Sequence, residues 1–382
     1  MIEIANRLKD VKEYYFSIKL REVRTLINQG KPIINLGIGS PDLDPPQEVI
    51  NALKNANIHG YQNYQGIPEL RQSIARFYTI NYNVTLNPEN EILPLMGSKE
   101  GILHISMAFL NKGDAVLIPN PGYPTYASVT KLVQANPVYY DLVSENNWHP
   151  DFKALEQLDL SKIKLMWVNY PNMPTGATPT DDLFKELIAF GKKHNILIVN
   201  DNPYSFILNK DPKSILAYEG AKDIAIELNS LSKTFNMSGW RVGMVLGNKE
   251  YVNNILKVKS NMDSGMYYGI QQGAIAALNL SENWFESNNE IYRKRRKIIW
   301  QICDELDCTY DEKSTGLFVW ARIPKGKSST EITDELLYDY DVFVTPGTIF
   351  GNNGEGYIRF SLCIEAEKIN EVLTRVSKKQ IS

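Results

Sequence analysis

The chain has 382 residues, of which 43% are hydrophobic and 22% charged, and its formal net charge is −3. This composition is that of a folded globular protein with one large core or two smaller ones. The small net charge excludes a polybasic surface for nucleic acid or anionic lipid. Three cysteines are too few and too scattered for a disulfide framework, and their spacing matches no metal knuckle, so we predict no metal site. The first residues carry charge and no apolar run approaches about 18 residues, which predicts a cytoplasmic protein with no membrane partner.

The first predicted element is a helix over residues 3–29, ended by Gly30 and Pro32. From residue 33 onward, short apolar runs rich in β-branched residues alternate with longer amphipathic segments. This pattern is typical of βα units around a buried, mostly parallel sheet. The runs predicted as strands are 115–118, 164–168, 196–199, 224–228 and 242–246.

The pattern changes after about residue 285. A charged helix is predicted over 289–306, followed by a strand at 316–323, a further helix and a strand at 357–362. We therefore predict an α/β fold with a large domain whose mostly parallel sheet lies between helices, and a smaller α+β domain. The large domain spans 46–285, and the smaller one combines 1–45 with 286–382.

Polar segments follow four of the predicted strands. In open parallel sheets, ligands bind beyond the carboxyl ends of the strands, so these segments are expected to face one crevice. They are residues 119–124, 169–176, 200–204 and 230–241.

Lys233 is the most informative residue of these segments. A lysine has an ordinary pKa of about 10.4, so it becomes a useful nucleophile only when its surroundings shift that pKa or a carbonyl cofactor captures it. Beside it, Ser230, Ser232 and Arg241 supply donors suited to a dianionic phosphate.

A second phosphate cradle is predicted where a helix over 100–109 begins. There Gly97, Ser98 and Lys99 follow a short strand, so their amides and the helix dipole favour an anion. A lysine together with phosphate donors predicts pyridoxal 5'-phosphate as the cofactor.

This cofactor makes further demands, and each finds a residue. Its pyridine nitrogen needs a carboxylate partner, which Asp201 can supply after a buried strand, and its ring oxygen needs a donor, for which Tyr204 is placed. Tyr123 is the candidate that stacks on the ring. Arg359, on the strand at 357–362, is the candidate that binds the α-carboxylate of the substrate.

With these residues assembled, the sequence resembles the class I and II aminotransferases, the fold-type I pyridoxal phosphate enzymes similar to aspartate aminotransferase. The resemblance covers residues 34–362. It implies transfer of an amino group between an L-amino acid and a 2-oxo acid in amino acid metabolism, with Lys233, Asp201 and Tyr204 as catalytic residues. The motifs that carry it are Ser230-x-Ser232-Lys233, Gly239-x-Arg241, Asn200-Asp201-x-Pro203-Tyr204, Pro121-Gly122-Tyr123-Pro124, Gly97-Ser98-Lys99 and Gly356-Tyr357-x-Arg359.

Two further positions are carried by the resemblance alone. Gly39, in Gly37-x-Gly39-x-Pro41, matches a glycine that touches the substrate, and Tyr61 matches a tyrosine that reaches the phosphate of the neighbouring subunit. The second match implies a homodimer with shared active sites. Within the family, residues 261–271 and Tyr14-Tyr15-Phe16 are closer to the diaminopimelate and alanine type.

The chain departs from the family pattern at Met173, where an asparagine usually hydrogen-bonds the ring oxygen of the cofactor. A methionine cannot donate a hydrogen bond. Either Asn172 or Asn169 replaces that contact through a shifted loop, or Tyr204 alone holds the oxygen. We predict Asn172 among the cofactor-binding residues and leave the alternatives open.

Three other functions compete with transamination. A lyase or decarboxylase would use the same cofactor on the same fold, and a non-catalytic relative would bind it without turnover. A nicotinamide oxidoreductase would suit a parallel sheet, but no Gly-x-Gly-x-x-Gly follows a strand, since Gly37-x-Gly39 lacks the third glycine.

Overall fold

The structure is a computed structural model that describes residues 2–379. Across that span, no helix is both long enough and apolar enough to cross a bilayer. Its strands are β1 (Ile34–Asn35), β2 (Ile92–Leu95), β3 (Ala115–Asn120), β4 (Asn136–Asp141), β5 (Ile163–Val168), β6 (Leu197–Asp201), β7 (Ala225–Ser230), β8 (Gly243–Gly247), β9 (Phe318–Arg322), β10 (Val342–Phe343), β11 (Thr345–Pro346) and β12 (Tyr357–Ser361).

The helices alternate with these strands for most of the chain. They are α1 (Tyr15–Asn28), α2 (Gln47–Lys54), α3 (Pro68–Tyr82), α4 (Ser98–Phe109), α5 (Pro124–Leu132), α6 (Phe152–Leu155), α7 (Asp181–His194), α8 (Leu231–Thr234), α9 (Lys249–Lys259), α10 (Tyr268–Leu278), α11 (Glu282–Glu305), α12 (Ser329–Asp339) and α13 (Ala366–Lys379).

The large sheet has the strand order β2-β8-β7-β6-β5-β3-β4. β8 runs antiparallel to both of its neighbours, while β7, β6, β5, β3 and β4 pair in parallel. Side chains along β5 alternate between the faces: Leu165 and Trp167 pack on one, Met166 and Val168 on the other. Helices α3, α7 and α10 cover one face and α4, α5 and α9 the other, which confirms the predicted α/β fold.

Two smaller sheets lie apart in sequence from the large one. β11, β12 and β9 form an antiparallel sheet, and β1 pairs in parallel with β10, so the N-terminal segment joins the C-terminal one. Their core includes Ile34, Leu36, Phe318 and Phe360. The domain bounds at residues 45 and 285 stay predictions; helix α11 runs through residue 285 without a break, and residues 1 and 380–382 lie outside the described part.

Most predicted strands lie within two residues of those observed, but the first helix is shorter than predicted. It covers Tyr15–Asn28 instead of 3–29, and a short 3-10 turn at Asn6–Leu8 precedes it. The predicted stop is correct because Gly30 has φ +88°, a left-handed conformation that costs glycine little. The periodicity could not locate the start, since apolar and charged residues mix evenly from residue 2 onward.

Candidate active site

A cavity of about 510 Å³ lies between the carboxyl ends of the large sheet and the antiparallel small sheet. Its wall contains most of the site residues predicted from the sequence. They are Gly39, Ser98, Lys99, Tyr123, Asp201, Tyr204, Ser230, Ser232, Lys233, Arg241 and Arg359. The lining includes four cationic side chains, Lys99, Lys233, Arg241 and Arg359, and one carboxylate, Asp201, so the cavity favours anionic ligands.

Lys233 lies in α8, which begins directly after β7. Ser230 caps this short helix, because its Oγ accepts a hydrogen bond from the backbone N of Ser232 at 3.1 Å. The ammonium of Lys233 donates to the backbone O of Gly39 at 2.5 Å, across the cavity from the helix. Burial lowers the pKa of Lys233, and the charges of Arg359 and Arg241 act in the same direction. A lowered pKa makes the amine a better nucleophile near neutral pH.

Asp201 ends β6 and is almost fully buried. Its Oδ2 accepts a hydrogen bond from the hydroxyl of Tyr126 at 2.8 Å, whereas Oδ1 has no partner among the described residues. Burial raises the pKa of Asp201 to about 7, and the Tyr126 hydrogen bond opposes that rise. A buried oxygen without a partner is costly, so this arrangement calls for a donor from within the cavity.

Arg241 and Gly97 meet at one end of the cavity. Gly97 precedes α4 with φ +91°, and a Cβ added there would lie 2.1 Å from Nη2 of Arg241. Only glycine leaves room for this guanidinium, whose Nη1 donates to the backbone O of Ser238 at 2.7 Å. The hydroxyls of Ser230 and Ser232 lie 2.8 Å apart near the same end. Together these groups offer the donors that a phosphate needs.

Arg359 lies in the middle of β12 and is buried between aromatic rings. Its guanidinium carbon lies 3.9 Å from the ring centre of Phe318 and 4.6 Å from that of Phe350. One terminal nitrogen, Nη2, donates to the backbone O of Gly37 at 2.8 Å, and Nη1 points to the sulfur of Met173 at 3.2 Å. Burial lowers the pKa of Arg359 to about 10, so it stays a cation at neutral pH and can bind a carboxylate.

The loop after β5 contains Asn169 and Asn172, and hydrogen bonds fix the direction of each side chain. Asn172 does not line the cavity: its Oδ1 accepts from Thr175 Oγ1 at 2.8 Å and its Nδ2 donates to the backbone O of Asn169 at 3.2 Å. Asn169 does line it, with Oδ1 accepting from the backbone N of Met173 and Nδ2 donating to the backbone O of Asp201. In the structure, therefore, Asn169 and Met173 face the cavity where the sequence led us to expect Asn172.

Tyr204 and Tyr123 lie on the cavity wall as expected. The ring of Tyr204 packs against Phe318 at 6.0 Å, and burial raises its pKa. Tyr123 contacts the ring of Tyr126 edge-on at 5.5 Å. Tyr61 lies elsewhere, with its side chain 92% exposed, so it contributes nothing to the cavity of its own chain.

Several cavity residues had no role in the sequence-based site. Tyr126 could have been found, because it lies three residues after Tyr123 at the start of the same helix and therefore near the same face. Phe318 and Phe350 could not, since their contact with Arg359 joins segments far apart in the chain. Tyr14 was noted only as a family feature, and the ammonium of Lys99 lies 4.3 Å from the centre of its ring.

A possible metal-ligand group occurs outside the cavity lining. Glu100, His104 and Asp263 bring their ligand atoms within 4.8 Å of one another. Protein partners already engage them, because His104 Nε2 lies 2.7 Å from Glu100 Oε1 and Asp263 pairs with the ammonium of Lys259 at 2.9 Å. We assign no metal to this group.

The cavity fits pyridoxal phosphate on structural grounds. Asp201 Oδ1 is a buried acceptor with no protein donor in the described chain, as the pyridinium of this cofactor requires. The space kept by Gly97 lies beside a guanidinium, as a phosphate requires. The amine of Lys233 lies in the same cavity. The fold and the site thus define a pyridoxal phosphate-dependent enzyme.

Comparison with known proteins agrees. The sequence profile of the family described as aminotransferase class I and II matches residues 31–376. An LL-diaminopimelate aminotransferase of Aquifex aeolicus is 39% identical over 387 residues, covering 100% of both chains. The solved structure of apo-BacF from Bacillus subtilis superposes with a TM-score of 0.94 at 37% identity, covering 99% of this chain and 98% of that one. A double mutant of Thermus thermophilus aspartate aminotransferase gives 0.92 at 25% identity, covering 99% and 100%.

The chain therefore belongs to the class I and II aminotransferases. It is a transaminase that uses pyridoxal phosphate to move an amino group between an L-amino acid and a 2-oxo acid. The oxidoreductase and lyase alternatives are not supported by these relatives.

Proposed function

We propose that the substrate of this aminotransferase is an amino acid with a second charged head group, and that LL-diaminopimelate is the first candidate. The relative from Aquifex aeolicus, similar over its full length, carries that substrate in its name. LL-diaminopimelate has a carboxylate and an amine at each end, so an enzyme acting on it needs one cation for the reacting end and a further polar group for the distal end.

The main observation behind this proposal is that Arg359 and Lys99 both line the same cavity. Arg359 is buried and suited to the α-carboxylate, whereas Lys99 lines the cavity, partly buried there and partly open to solvent. Burial of its ammonium lowers the pKa of Lys99, and the charge of Arg241 acts in the same direction. Since no carboxylate of the described chain pairs with it, Lys99 is available to a distal carboxylate.

The proposed mechanism assigns each step to a residue of the chain. Pyridoxal phosphate supplies an aldehyde that captures amines and a ring that withdraws electrons. Lys233 would hold the cofactor through its side-chain amine, and its Nζ would act as the general base that takes the proton from the substrate α-carbon and as the general acid that gives it up again. Such general acid–base catalysis contributes about 10²–10⁴-fold. The lowered pKa of Lys233 supports this role.

The other cavity residues are proposed to bind and orient the cofactor and the substrate. We propose that Asp201 binds the pyridinium through Oδ1, Tyr204 donates to the ring oxygen and Tyr123 stacks on the ring. The phosphate is proposed to bind the amides of Gly97, Ser98 and Lys99 with the side chains of Ser230, Ser232 and Arg241. Gly39 is proposed to lie against the substrate, supported by the contact between its carbonyl and Lys233.

Asn172 is proposed to act indirectly. Its two side-chain hydrogen bonds stay within the loop, so it would shape the wall that Asn169 and Met173 present. The cofactor contact first predicted for Asn172 would then fall to Tyr204 and to the second amide hydrogen of Asn169.

We further propose a cytoplasmic homodimer with shared active sites. The exposure of Tyr61 supports this, because a tyrosine directed away from its own cavity is placed to reach another. Further exposed apolar side chains, among them Tyr64, Met96 and Met262, offer surface that a partner can cover.

A single-turnover panel of amino acids tests the substrate proposal, with the absorbance of the cofactor as readout. We expect LL-diaminopimelate to react faster than its meso isomer, aspartate or alanine. Replacing Lys99 with Met should raise the concentration of LL-diaminopimelate needed for half-maximal rate about ten-fold, since a charged hydrogen bond is lost, and leave alanine unaffected. A panel led by alanine, or a Lys99→Met effect equal for both substrates, would contradict the proposal. Release of pyruvate and ammonia without a 2-oxo acid would indicate a lyase.

A further inference from the structure

Met173 replaces the asparagine that the family pattern places before Pro-Thr-Gly, and the structure gives its side chain a specific contact. The side chain is buried and lines the cavity. Its sulfur lies 3.2 Å from Nη1 of Arg359. A thioether sulfur is a weak hydrogen-bond acceptor and cannot donate, so the guanidinium is the donor in this contact.

The hydrogen bonds of Arg359 leave room for a substrate carboxylate. A guanidinium carries five N–H donors. One on Nη2 is used by the backbone O of Gly37 and one on Nη1 by the sulfur of Met173. Nε is buried without a partner in the described residues. One hydrogen on each terminal nitrogen therefore remains, beside that of Nε, and a carboxylate needs two.

The aromatic rings and the hydrogen-bond acceptors around Arg359 restrict different movements of its guanidinium. The ring centres of Phe318 and Phe350 lie 3.9 and 4.6 Å from the guanidinium carbon, so the rings limit its displacement towards them. Rings cannot stop the group from swivelling within its own plane, because they present no directed acceptor there. Two acceptors do this: the carbonyl of Gly37, itself anchored by the hydroxyl of Thr345 at 2.9 Å, and the sulfur of Met173.

We propose that Met173 is a positioning residue that fixes the guanidinium of Arg359 for the α-carboxylate of the substrate. Its sulfur orients Nη1 without competing strongly for it, since a weak acceptor leaves the donor strength to the incoming carboxylate. The inference rests on the proposed role of Arg359.

The first test measures carboxylate affinity, apart from turnover. The probe is hexanoate, a monocarboxylate with no amine, titrated calorimetrically into the cofactor-loaded enzyme. Met173→Leu keeps the volume and removes the acceptor, so we expect hexanoate to bind about three- to ten-fold more weakly, the range of a weak hydrogen bond. Met173→Gln restores an acceptor on a side chain of similar length, so binding should stay within about two-fold of the parent.

The second test measures whether Met173→Leu changes KM or kcat. We expect Met173→Leu to raise KM for the amino acid by the same factor and to leave kcat within about two-fold, because the contact orients the binding group and not Lys233. Met166→Leu is the matched control, because it makes the same substitution at a buried residue of β5 that does not line the cavity. It should alter neither hexanoate affinity nor KM.

The outcomes separate this inference from the proposed function. If Arg359→Lys weakens hexanoate binding while Met173→Leu matches the parent, the inference is wrong and the role of Arg359 stands. If Met173→Leu and Met173→Gln weaken it equally, the side chain acts by packing alone and the inference is again wrong. If folded Arg359→Lys binds hexanoate as the parent does, the proposed carboxylate site itself fails.

Discussion

At the scale of single residues, the most informative feature of the site is Asp201, a carboxylate that is buried with one oxygen lacking a hydrogen-bond partner in the described residues. Asp201 is buried, its pKa is raised to about 7, and within residues 2–379 a single donor, the hydroxyl of Tyr126, hydrogen-bonds its carboxylate. A cationic ring nitrogen would relieve this cost by supplying the missing partner of Oδ1. We therefore expect Asp201 to link cofactor binding to the stability of the fold.

The raised pKa predicts how the stability of the cofactor-free protein varies with pH. The folded pKa of Asp201 lies above that of the unfolded chain, so its contribution is fully present below the unfolded pKa and is lost as pH rises through 7. Relative to Asp201→Asn, the parent should lose free energy of unfolding by about 1 kcal/mol per pH unit between about pH 4 and 7. Urea unfolding of both proteins across that range measures the difference. A difference that stays flat or grows with pH would contradict the pKa.

The residue scale also shows what one sequence can and cannot reveal. That Lys233, Asp201 and Arg359 share one cavity was predictable, because their flanking motifs are specific and each answers a chemical demand of the cofactor or of the substrate. The orientation of Asn172 was not, since Asn169 and Asn172 lie three residues apart in one loop and hydrogen bonds within that loop decide which of them faces the cavity.

At the scale of elements, the start of α4 is fitted to Arg241. Gly97 has φ +91° and a Cβ there would overlap the guanidinium, whereas Gly113 has the same φ and open space around it. Comparing alanine substitutions at these two glycines therefore distinguishes the effect of backbone strain from that of the clash with Arg241.

Gly97→Ala should therefore weaken binding of pyridoxal phosphate by about ten- to a hundred-fold, because Arg241 must move and a charged hydrogen bond to the phosphate is lost. Gly113→Ala should cost similar stability through backbone strain and leave cofactor affinity unchanged. Fluorescence titration of the cofactor-free proteins gives both affinities. Equal losses in the two variants would show that strain alone, and not Arg241, is responsible.

Elements of the fold were predictable where periodicity is strong. Five of the seven strands of the large sheet were located from apolar runs such as 115–118 and 196–199, whereas β4 was not predicted, and the site follows from the carboxyl ends of the located strands. The antiparallel direction of β8 was not predictable, since its apolar run Gly243–Gly247 resembles those of the strands that pair in parallel. Direction is set by the chain path around α8, which no local pattern encodes.

At the scale of the whole molecule, the proposed dimer would complete each active site with Tyr61 of the partner, a side chain that is exposed in its own chain. If it reaches the phosphate of a partner, each active site combines Lys233 of one subunit with Tyr61 of the other. Mixing two inactive variants tests this arrangement, because the mixed dimer redistributes the two defects.

Tyr61→Ala and Lys233→Ala should each be nearly inactive at limiting cofactor. Refolded together in equal amounts, they should recover about a quarter of the parent activity, because half of the dimers are mixed and one of their two sites carries neither change. No recovery would mean that Tyr61 serves its own chain. A mixture of Tyr139→Ala, another exposed tyrosine, with Lys233→Ala controls for loss of an exposed ring, and should show only the activity that Tyr139→Ala itself contributes.

The central claim is that the side chain of Lys233 bonds covalently to pyridoxal phosphate. Reduction of the cofactor-loaded enzyme with borohydride, followed by peptide mapping, tests it most directly. The peptide containing Lys233 should carry the reduced cofactor at about one per chain, and Lys233→Ala should carry none. A saturated enzyme in which Lys233 remains unmodified, or in which Lys99 carries the label instead, would contradict the claim.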